Sequence, residues 1–279
     1  MEKGVSLERA LEIAGDLSME RNSEHLPLDM ATGRILFEDI ISRVDDPRFD
    51  NSAMDGWAVR EADCKEPGAV LRVVGTSQAG STDVPHVREG EACSIMTGAP
   101  VPEGADAIVM VEDSTTEGNT VTINGPARPG YIRRRGENLT EGESPLKSGS
   151  LLTPSAISLC ATMGHDSLPV VRKPSIAVIG VGDELTPPGE PLSKNSIYES
   201  NTFGISSLVK KMGCIPLRSD LIRDNIDDLR EALDEAAETC DAIITSGGVS
   251  MGKWDLVRQI MEEEGQIRSR RLMMRPAGP

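Results

Sequence analysis

Apolar runs alternate with helical patterns over residues 173–279. The runs SIAVIG, CIPLRSDLI and DAIIT predict three strands. The segments FGISSLVKKMG and WDLVRQIMEEEG, together with residues 226–240, carry apolar positions at helical spacing. This order of strand, helix, strand, helix and strand is typical of a parallel sheet with right-handed crossovers. We therefore predict that residues 173–279 form an α/β domain.

The preceding part of the chain has a different pattern, in which short β-like runs alternate with Gly, Pro, Asp and Asn. The runs AVLRVVG, EACSIM, DAIVMVE and NTVTI predict a small β domain over residues 46–140. Helical patterns flank it, one capped by Ser6 and one in PSAISLCATMG. We expect residues 1–45 and 141–172 to form a discontinuous, elongated linking domain, which makes the fold multidomain α/β plus β.

Composition narrows the class of protein. The net charge is −16 and aromatic residues make up only 3% of the chain, which argues against a nucleic-acid partner. The five scattered cysteines form no C-x-x-C pair and the three histidines are isolated, so we expect reduced core thiols and no zinc site. No segment approaches the roughly 20 apolar residues of a membrane span. These features predict a cytoplasmic protein without a membrane partner.

The predicted parallel sheet places three loops on one rim. Ligands of such sheets bind beyond the carboxyl ends of the strands, where GVGDELTPPG, DLIRDN and SGGVSMGKWD follow the three strands. We therefore expect Glu184, Asp224 and Asp255 to approach one crevice. Asp224 has a second possible role, because a carboxylate in a strand-to-helix turn can also cap the helix.

The third of these loops resembles a nucleotide-binding P-loop without completing it. From Gly247 it has the pattern G-x-x-x-x-G-K, but Trp254 replaces the Ser or Thr that would hold magnesium. Gly247 and Gly248 let the backbone approach a ligand, and the following helix start offers free N–H groups to an anion. Carboxylates beside an anion require a cation between them, so we predict Mg²⁺ at Asp224 and Asp255 together with an anionic organic ligand.

A second cluster of candidate residues falls within the predicted β domain. Asp55 lies in PRFDNSAMDGWAVR, and Thr97 lies in SIMTGAPVPEGADAIVMVE. Asp-Gly and Thr-Gly pairs are good turn formers, and spacing alone favours that structural role over a functional one.

Five motifs together carry a family resemblance. The segments PRFDNSAMDGWAVR, SIMTGAPVPEGADAIVMVE, RRRGENL, GVGDEL and SGGVSMGKWD, in that order, resemble the MoeA family of molybdopterin molybdenumtransferases, which includes the E domain of gephyrin. The resemblance implies a three-layer molybdopterin-binding α/β domain. It also implies insertion of molybdate into adenylylated molybdopterin with magnesium-dependent loss of AMP. The implied assembly is a homodimer, joined through the linking domain, in which the β domain of one subunit faces the α/β domain of the other.

The same resemblance assigns roles to individual residues. It implies catalytic roles for Asp55, Thr97, Glu184, Asp224 and Asp255, with Asp224 and Asp255 also holding Mg²⁺. It implies substrate binding by Ser52, Gly247, Gly248, Ser250, Arg271 and Arg275. The two arginines match basic positions, usually lysines, that lie near molybdate. A further implied partner is the molybdopterin adenylyltransferase that makes the adenylylated substrate.

The chain also departs from the family pattern. Val181 stands where Thr is usual, Asn138 where a relative carries Asp, and the ending RPAGP where the family has KPGKP. Family chains continue beyond the position of Pro279, so the resemblance implies a C-terminally truncated relative. Two alternatives remain open: a molybdopterin adenylyltransferase, and a catalytically impaired MoeA-like scaffold. The cluster of Asp55 and Thr97, called the β cluster below, argues against the adenylyltransferase, and the altered ending supports the scaffold.

Overall fold

The computed structural model of the protein describes residues 2–16, 22–247, 256–265 and 267–272. The chain divides into two compact units. One unit is Ser23–Val171, and the other joins Met1–Asn22 with Arg172–Pro279.

Strands and short helices dominate Ser23–Val171, whereas longer helices alternate with strands in the other unit. The helices are α1 (Leu7–Gly15), α2 (Leu28–Ala31), α3 (Pro154–Thr162), α4 (Asn201–Lys211), α5 (Ile226–Thr239) and α6 (Leu256–Glu264). The strands are β1 (Glu2–Val5), β2 (Ser23–Pro27), β3 (Asn51–Ser52), β4 (Gly56–Val59), β5 (Ala69–Ser77), β6 (Glu91–Ile95), β7 (Ala107–Met110), β8 (Ser114–Glu117), β9 (Thr120–Ile123), β10 (Ile132–Arg133), β11 (Ser167–Val171), β12 (Ser175–Gly180), β13 (Leu185–Thr186), β14 (Ile197–Tyr198), β15 (Ile215–Arg218), β16 (Ala242–Ser246) and β17 (Ser269–Leu272).

The unit Ser23–Val171 is built around a six-stranded sheet of order β7-β4-β6-β5-β9-β8. Its pairs are antiparallel except β5 with β6, which run parallel. The predicted runs AVLRVVG, EACSIM, DAIVMVE and NTVTI form β5, β6, β7 and β9. The interior strand β4 was not predicted as a strand, because its sequence GWAV begins with the glycine of an Asp-Gly pair that is typical of a turn.

Strands β4, β6 and β7 of this sheet are buried on both faces. Trp57 and Val59 of β4 belong to one apolar cluster, whereas Ala58 between them belongs to another. Strand β7 repeats the alternation, with Val109 on the first face and Ile108 on the second. Successive side chains of a strand point to opposite faces, so a strand buried on both faces is apolar at every position.

A separate apolar cluster joins the two ends of this unit. Leu36 and Ile40 pack with Leu152, Cys160 and other residues that follow the sheet in sequence. Strands β2 and β11 pair antiparallel, and α2 contacts α3. The core of these flanking segments is therefore distinct from the two clusters on the sheet. The boundary between a linking domain and a β domain stays a prediction, since both parts fall within one compact unit.

The other unit contains the predicted parallel sheet, with strand order β15-β12-β16. Ala177, Ile179 and Val181 form one cluster with the buried side chains of α5 and α6. On the opposite face, a Cβ at Gly180 would lie 3.1 Å from Thr202 Cγ2, because α4 packs there. Helices therefore cover both faces of the sheet, which confirms the predicted three-layer α/β domain.

The N-terminal segment differs from the predicted arrangement. Residues 1–45 were expected in the linking domain, but Met1–Asn22 group with the α/β unit. The cause is β1, which pairs parallel with β17 in the register Val5 with Leu272. Ser6 caps α1 as predicted, with Oγ accepting a hydrogen bond from the Arg9 N–H at 3.2 Å.

The cysteines are free, and Cys64, Cys93 and Cys160 are buried. Burial raises the pKa of the Cys64 and Cys93 thiols to about 11, so both remain protonated at neutral pH. These two side chains therefore serve as core residues rather than as thiolate nucleophiles. Among the residues that the structure describes, no helix is long and apolar enough to cross a membrane.

Candidate functional site

Three loops meet at the carboxyl end of β12. Val181, the first residue after this strand, donates its backbone N–H to the Ser246 carbonyl at 2.9 Å. The next residue, Gly182, donates its N–H to the Ile222 carbonyl at 3.0 Å. Because Ser246 ends β16 and Ile222 follows β15, the loops after all three parallel strands are joined on one rim, as predicted.

Gly247 is required by the backbone of this rim. It has a φ of +87°, in the left-handed region that favours glycine. A Cβ at this position would also lie 2.0 Å from the Val181 carbonyl oxygen. The loop SGGVSMGKWD (residues 246–255) is called the glycine loop below, and its start packs so closely against the end of β12 that no side chain fits at Gly247.

The acidic candidates on the rim are exposed. Asp224 and Glu184 both lie at the surface, in the loops after β15 and β12. Asp183, which the sequence analysis did not select, accepts a hydrogen bond from the Asp224 N–H on Oδ1 at 3.3 Å. A Cβ at Gly182 would lie 2.6 Å from Glu184 Oε2, so the glycine lets this carboxylate fold back over the rim.

Helix α5 is capped by Asn225 and not by the neighbouring Asp224. Asn225 is the N-cap residue of α5, and its Oδ1 accepts hydrogen bonds from the N–H groups of Asp227 and Asp228 at 2.9 and 3.4 Å. Asp224 therefore does not cap this helix, and its carboxylate is available on the rim.

The expected magnesium ligands are only partly described. Asp255, Gly248, Ser250 and Arg275 lie outside the described residues, and of Arg271 only the backbone is described, in β17. Within the described ranges, no group of three or more His, Cys, Asp and Glu side chains is arranged to hold a metal ion. The pairing of Asp224 with Asp255 at one cation stays a prediction.

The second cluster is closed by its own hydrogen bonds. Asp55 Oδ1 accepts from the Thr97 N–H at 2.6 Å and from Thr97 Oγ1 at 3.0 Å. Both residues are exposed, at turns that precede β4 and follow β6. Gly98 completes the second turn with a φ of +80°. The structure therefore brings together the two residues that the sequence motifs singled out, and both also take part in turn formation.

Ser52 has a different environment from Asp55 and Thr97. Its side chain is fully buried, and its hydroxyl donates to the Met54 carbonyl at 2.6 Å. The same oxygen accepts from the Met54 N–H at 3.2 Å. In this structure Ser52 thus supports the turn that carries Asp55 rather than facing solvent.

Two departures from the family pattern can be placed. Val181 is buried in the cluster beneath α5 and α6, so its side chain points into the core rather than toward the rim. Asn138 donates from Nδ2 to Asp46 Oδ2 at 3.1 Å. An Asp at position 138 would place two carboxylates against each other, so the amide suits this pair electrostatically.

The two clusters lie in different compact units. Asp55 and Thr97 belong to Ser23–Val171, whereas Glu184, Asp224 and Gly247 belong to the α/β unit. A common cleft that contains both clusters stays a prediction.

Two family models divide the chain close to the boundary between Val171 and Arg172, although the first model also covers residues 5–22 of the α/β unit. Residues 5–164 match the family model described as the MoeA N-terminal region (domain I and II). Residues 177–279 match the model described as a probable molybdopterin binding domain.

Whole-chain relatives point to the same group. A molybdopterin molybdenumtransferase from Haemophilus influenzae is 37% identical over 265 residues, which cover 94% of this chain and 65% of the relative. Molybdopterin molybdenumtransferase 2 from Mycobacterium tuberculosis is 39% identical over 238 residues, which cover 84% of this chain and 59% of the relative. The chain thus spans about three fifths of the length of these curated relatives.

A solved structure supports the fold. A molybdopterin biosynthesis MoeA protein from Pyrococcus horikoshii superimposes with a TM-score of 0.86 at 31% identity, covering 99% of this chain and 71% of that chain. The fold is that of a multidomain protein whose α/β domain matches the probable molybdopterin binding domain. The chain belongs to the MoeA family.

Proposed function

We propose that the protein acts in molybdenum cofactor biosynthesis, where it inserts molybdate into adenylylated molybdopterin and releases AMP in a magnesium-dependent step. The observation that carries this proposal is the rim of the parallel sheet, where the start of the glycine loop packs against the end of β12 and the loops after β12 and β15 carry the exposed carboxylates of Glu184 and Asp224. Gly247 also carries no side chain that would keep a phosphate-bearing ligand away from the backbone of this loop. Membership in the MoeA family and relatives named molybdopterin molybdenumtransferases support the same reaction.

The carboxylates on the rim have the chemistry that magnesium needs. Hard oxygen ligands are the donors that Mg²⁺ prefers, and the Asp224 carboxylate is exposed and does not cap its helix. In this proposal Asp224 and Asp255 hold Mg²⁺, which when bound neutralises the phosphate charge of the ligand. Gly247, Gly248 and Ser250 receive the adenylylated pterin.

The remaining residues act on the molybdate side. Arg271 and Arg275 supply positive charge for the oxyanion, and their planar guanidinium groups replace the ammonium groups usual in the family. Glu184, Asp55 and Thr97 line the reacting end of the site. Ser52 contributes by holding the turn that carries Asp55, since its hydroxyl is buried.

The direct test is release of AMP from adenylylated molybdopterin in the presence of molybdate and magnesium, followed by chromatography. We expect the wild-type protein to release AMP, and both Asp224→Asn and Asp255→Ala to lose about 100-fold or more of the rate. Asp234→Asn is the matched control, because Asp234 is an exposed carboxylate on α5 of the same unit.

Each other outcome points to a different function. A protein that consumes ATP and molybdopterin to release pyrophosphate would be an adenylyltransferase. A protein that binds the adenylylated pterin without turnover would be the scaffold. AMP release without any need for magnesium would refute the assigned roles of Asp224 and Asp255.

The proposal includes a homodimer with a shared cleft. Its two clusters belong to different compact units, and a two-fold axis brings the β cluster of one subunit to the rim of its partner. Mixing inactive Asp55→Ala with inactive Asp255→Ala should then restore part of the activity, because a heterodimer contains one site without either substitution. Heterodimers that form yet stay inactive would show that each site is built within one chain. A cytoplasmic location and contact with the adenylyltransferase stay predictions.

A further inference from the structure

A side chain from outside the three rim loops reaches the start of the glycine loop. Asn201 is the first residue of α4, and its Nδ2 donates to Ser246 Oγ at 3.0 Å. Ser246 ends β16 and directly precedes Gly247. The side chain of Asn201 is therefore bonded to the residue at which the glycine loop begins.

The amide of Asn201 does not cap its own helix. The N-cap residue of α4 is Ser200, and its side chain makes no capping hydrogen bond. Buried Glu199 has that role instead, because its carboxylate accepts from the Thr202 N–H at 2.6 Å and from Thr202 Oγ1 at 2.7 Å. The Asn201 side chain is thus free of capping and is directed to β16.

The start of α4 is a firm support for this contact. Glu199 donates its own backbone N–H to the Thr186 carbonyl at 2.9 Å, which ties it to the loop after β12. Thr202 packs against Gly180 at the end of the same strand. Asn201 lies between these two residues, so it cannot shift without disturbing buried hydrogen bonds.

We propose that Asn201 is a positioning residue for the glycine loop and that it sets the affinity of the rim for the adenylylated ligand. Ser246 is held from two sides, since its carbonyl oxygen accepts from the Val181 N–H and its hydroxyl accepts from Asn201. The first contact fixes the backbone against β12, and the second fixes the side chain against α4. This inference rests on the proposed function, because it assumes that the ligand binds at this loop.

The test is a double-mutant cycle on ligand affinity. Asn201→Ala, Ser246→Ala and the double variant are titrated with adenylylated molybdopterin in magnesium buffer, and binding is followed by calorimetry. A single hydrogen bond makes a net contribution that corresponds to roughly a two- to ten-fold change in Kd. We expect each single variant to raise Kd by this factor. The double variant should have a Kd no higher than that of the single variant with the higher Kd, because both substitutions remove the same hydrogen bond.

The controls separate positioning from folding. Ser200→Ala changes the neighbouring residue, whose side chain makes no capping bond, and should leave Kd unchanged. Thermal unfolding and AMP release are measured on every variant, and a positioning role raises KM more than it lowers kcat. If Asn201→Ala fails to fold, Ser246→Ala removes the same hydrogen bond from the other partner.

Failure of the inference differs from failure of the proposed function. Wild-type protein that does not bind adenylylated molybdopterin would overturn both. Wild-type binding with an unchanged Kd in Asn201→Ala would overturn only the role of Asn201. The role of Asn201 would also be overturned if the increase in Kd of the double variant equalled the product of the two single increases, since the two side chains would then act independently.

Discussion

The two clusters of candidate residues lie beside different kinds of sheet, one mixed and one parallel. In the unit Ser23–Val171, Asp55 and Thr97 lie at turns next to β4 and β6, two strands of a mixed sheet that are buried on both faces, and they are hydrogen-bonded to each other. On the rim of the α/β unit, Glu184 and Asp224 are exposed in loops that follow parallel strands. The first cluster is therefore fixed by the bonds of its own members, whereas the second is placed by the order of the strands beneath it.

This difference predicts where each unit tolerates change. Where side chains close a turn by bonding to each other, substitutions in the turn and in the adjoining strands should destabilise the unit. A rim that is set by strand order is sensitive to substitutions in the core beneath it and at the opposite end of the sheet. Exposed side chains on the rim itself can be substituted without unfolding the unit. The following predictions test this contrast, beginning with the largest expected effect.

Gly56→Ala should have the largest effect on folding. A Cβ at Gly56 would lie 1.9 Å from the Val109 carbonyl oxygen on the neighbouring strand β7, and the sheet is packed on both faces. We expect the free energy of unfolding to fall by about 3 kcal/mol or more, measured by urea denaturation. Gly204→Ala is the control, since it lies in α4 with open space around it and should gain about 0.5–1 kcal/mol. Equal urea midpoints for the two variants would contradict the close packing of Gly56 against β7.

Asp241 should make the α/β unit sensitive to acid. Its carboxylate accepts from Arg172 Nη2 at 2.5 Å and from the Ser175 N–H and Oγ at 2.7 and 3.0 Å, at the end of the sheet opposite the rim. The Arg172 guanidinium and the Ser175 hydrogen bonds lower its pKa to about 2. The folded pKa lies below the unfolded value near 3.8, so the stabilisation is present above pH 4 and is lost as the pH falls toward 2.

Asp241→Asn should remove roughly 1–2 kcal/mol of stability at neutral pH and flatten this part of the pH profile. Hydrogen exchange resolved along the chain provides the measurement, and the loss of protection should concentrate in β12 and β16. Asp39→Asn is the control for location, since Asp39 accepts hydrogen bonds from Lys147 and the Ser148 N–H in the other unit, and its loss should leave protection in β12 and β16 unchanged. A pH profile unchanged by Asp241→Asn would show that another carboxylate is responsible.

Val181→Thr tests whether this position serves the core or the rim. The side chain is buried beneath α5 and α6, so restoring the hydroxyl usual in the family places an oxygen in apolar surroundings. We expect a loss of about 1–3 kcal/mol in the free energy of unfolding, with the affinity for the adenylylated ligand unchanged. Thr at this position with tighter ligand binding and no loss of stability would show that the hydroxyl reaches the rim.

Thr97→Val should have the smallest effect on stability. It removes one of the two hydrogen bonds to Asp55 Oδ1 and leaves the Thr97 N–H in place. We expect a loss of about 1 kcal/mol or less by urea denaturation, and Thr97→Ser should restore it. AMP release tests whether the pair also has a functional role. Full activity in Thr97→Val would show that the hydrogen bond only stabilises the turn. A loss of activity in a variant that remains folded would support a role of the pair in the reaction.

The sequence alone determined the elements and much of the architecture. Helical spacing and apolar runs predicted α3, α4, α5 and α6 and the parallel strands β12, β15 and β16, because these patterns arise from neighbouring residues. Strand order then implied a rim at the carboxyl ends, and the loops there meet as expected. The family motifs named Asp55 and Thr97, although spacing alone favoured a simple turn.

Only the tertiary structure decided how distant residues pair. Asp55 and Thr97 are 42 positions apart, and Asn201 and Ser246 are 45 apart, so no local pattern reports their hydrogen bonds. The same holds for β1, whose pairing with β17 moved the N-terminal segment into the α/β unit. Burial likewise assigned Val181 to the core, because whether a side chain at the end of a strand is covered depends on which helices pack against that end. Local sequence sets the preference of each segment, and long-range packing selects its partners.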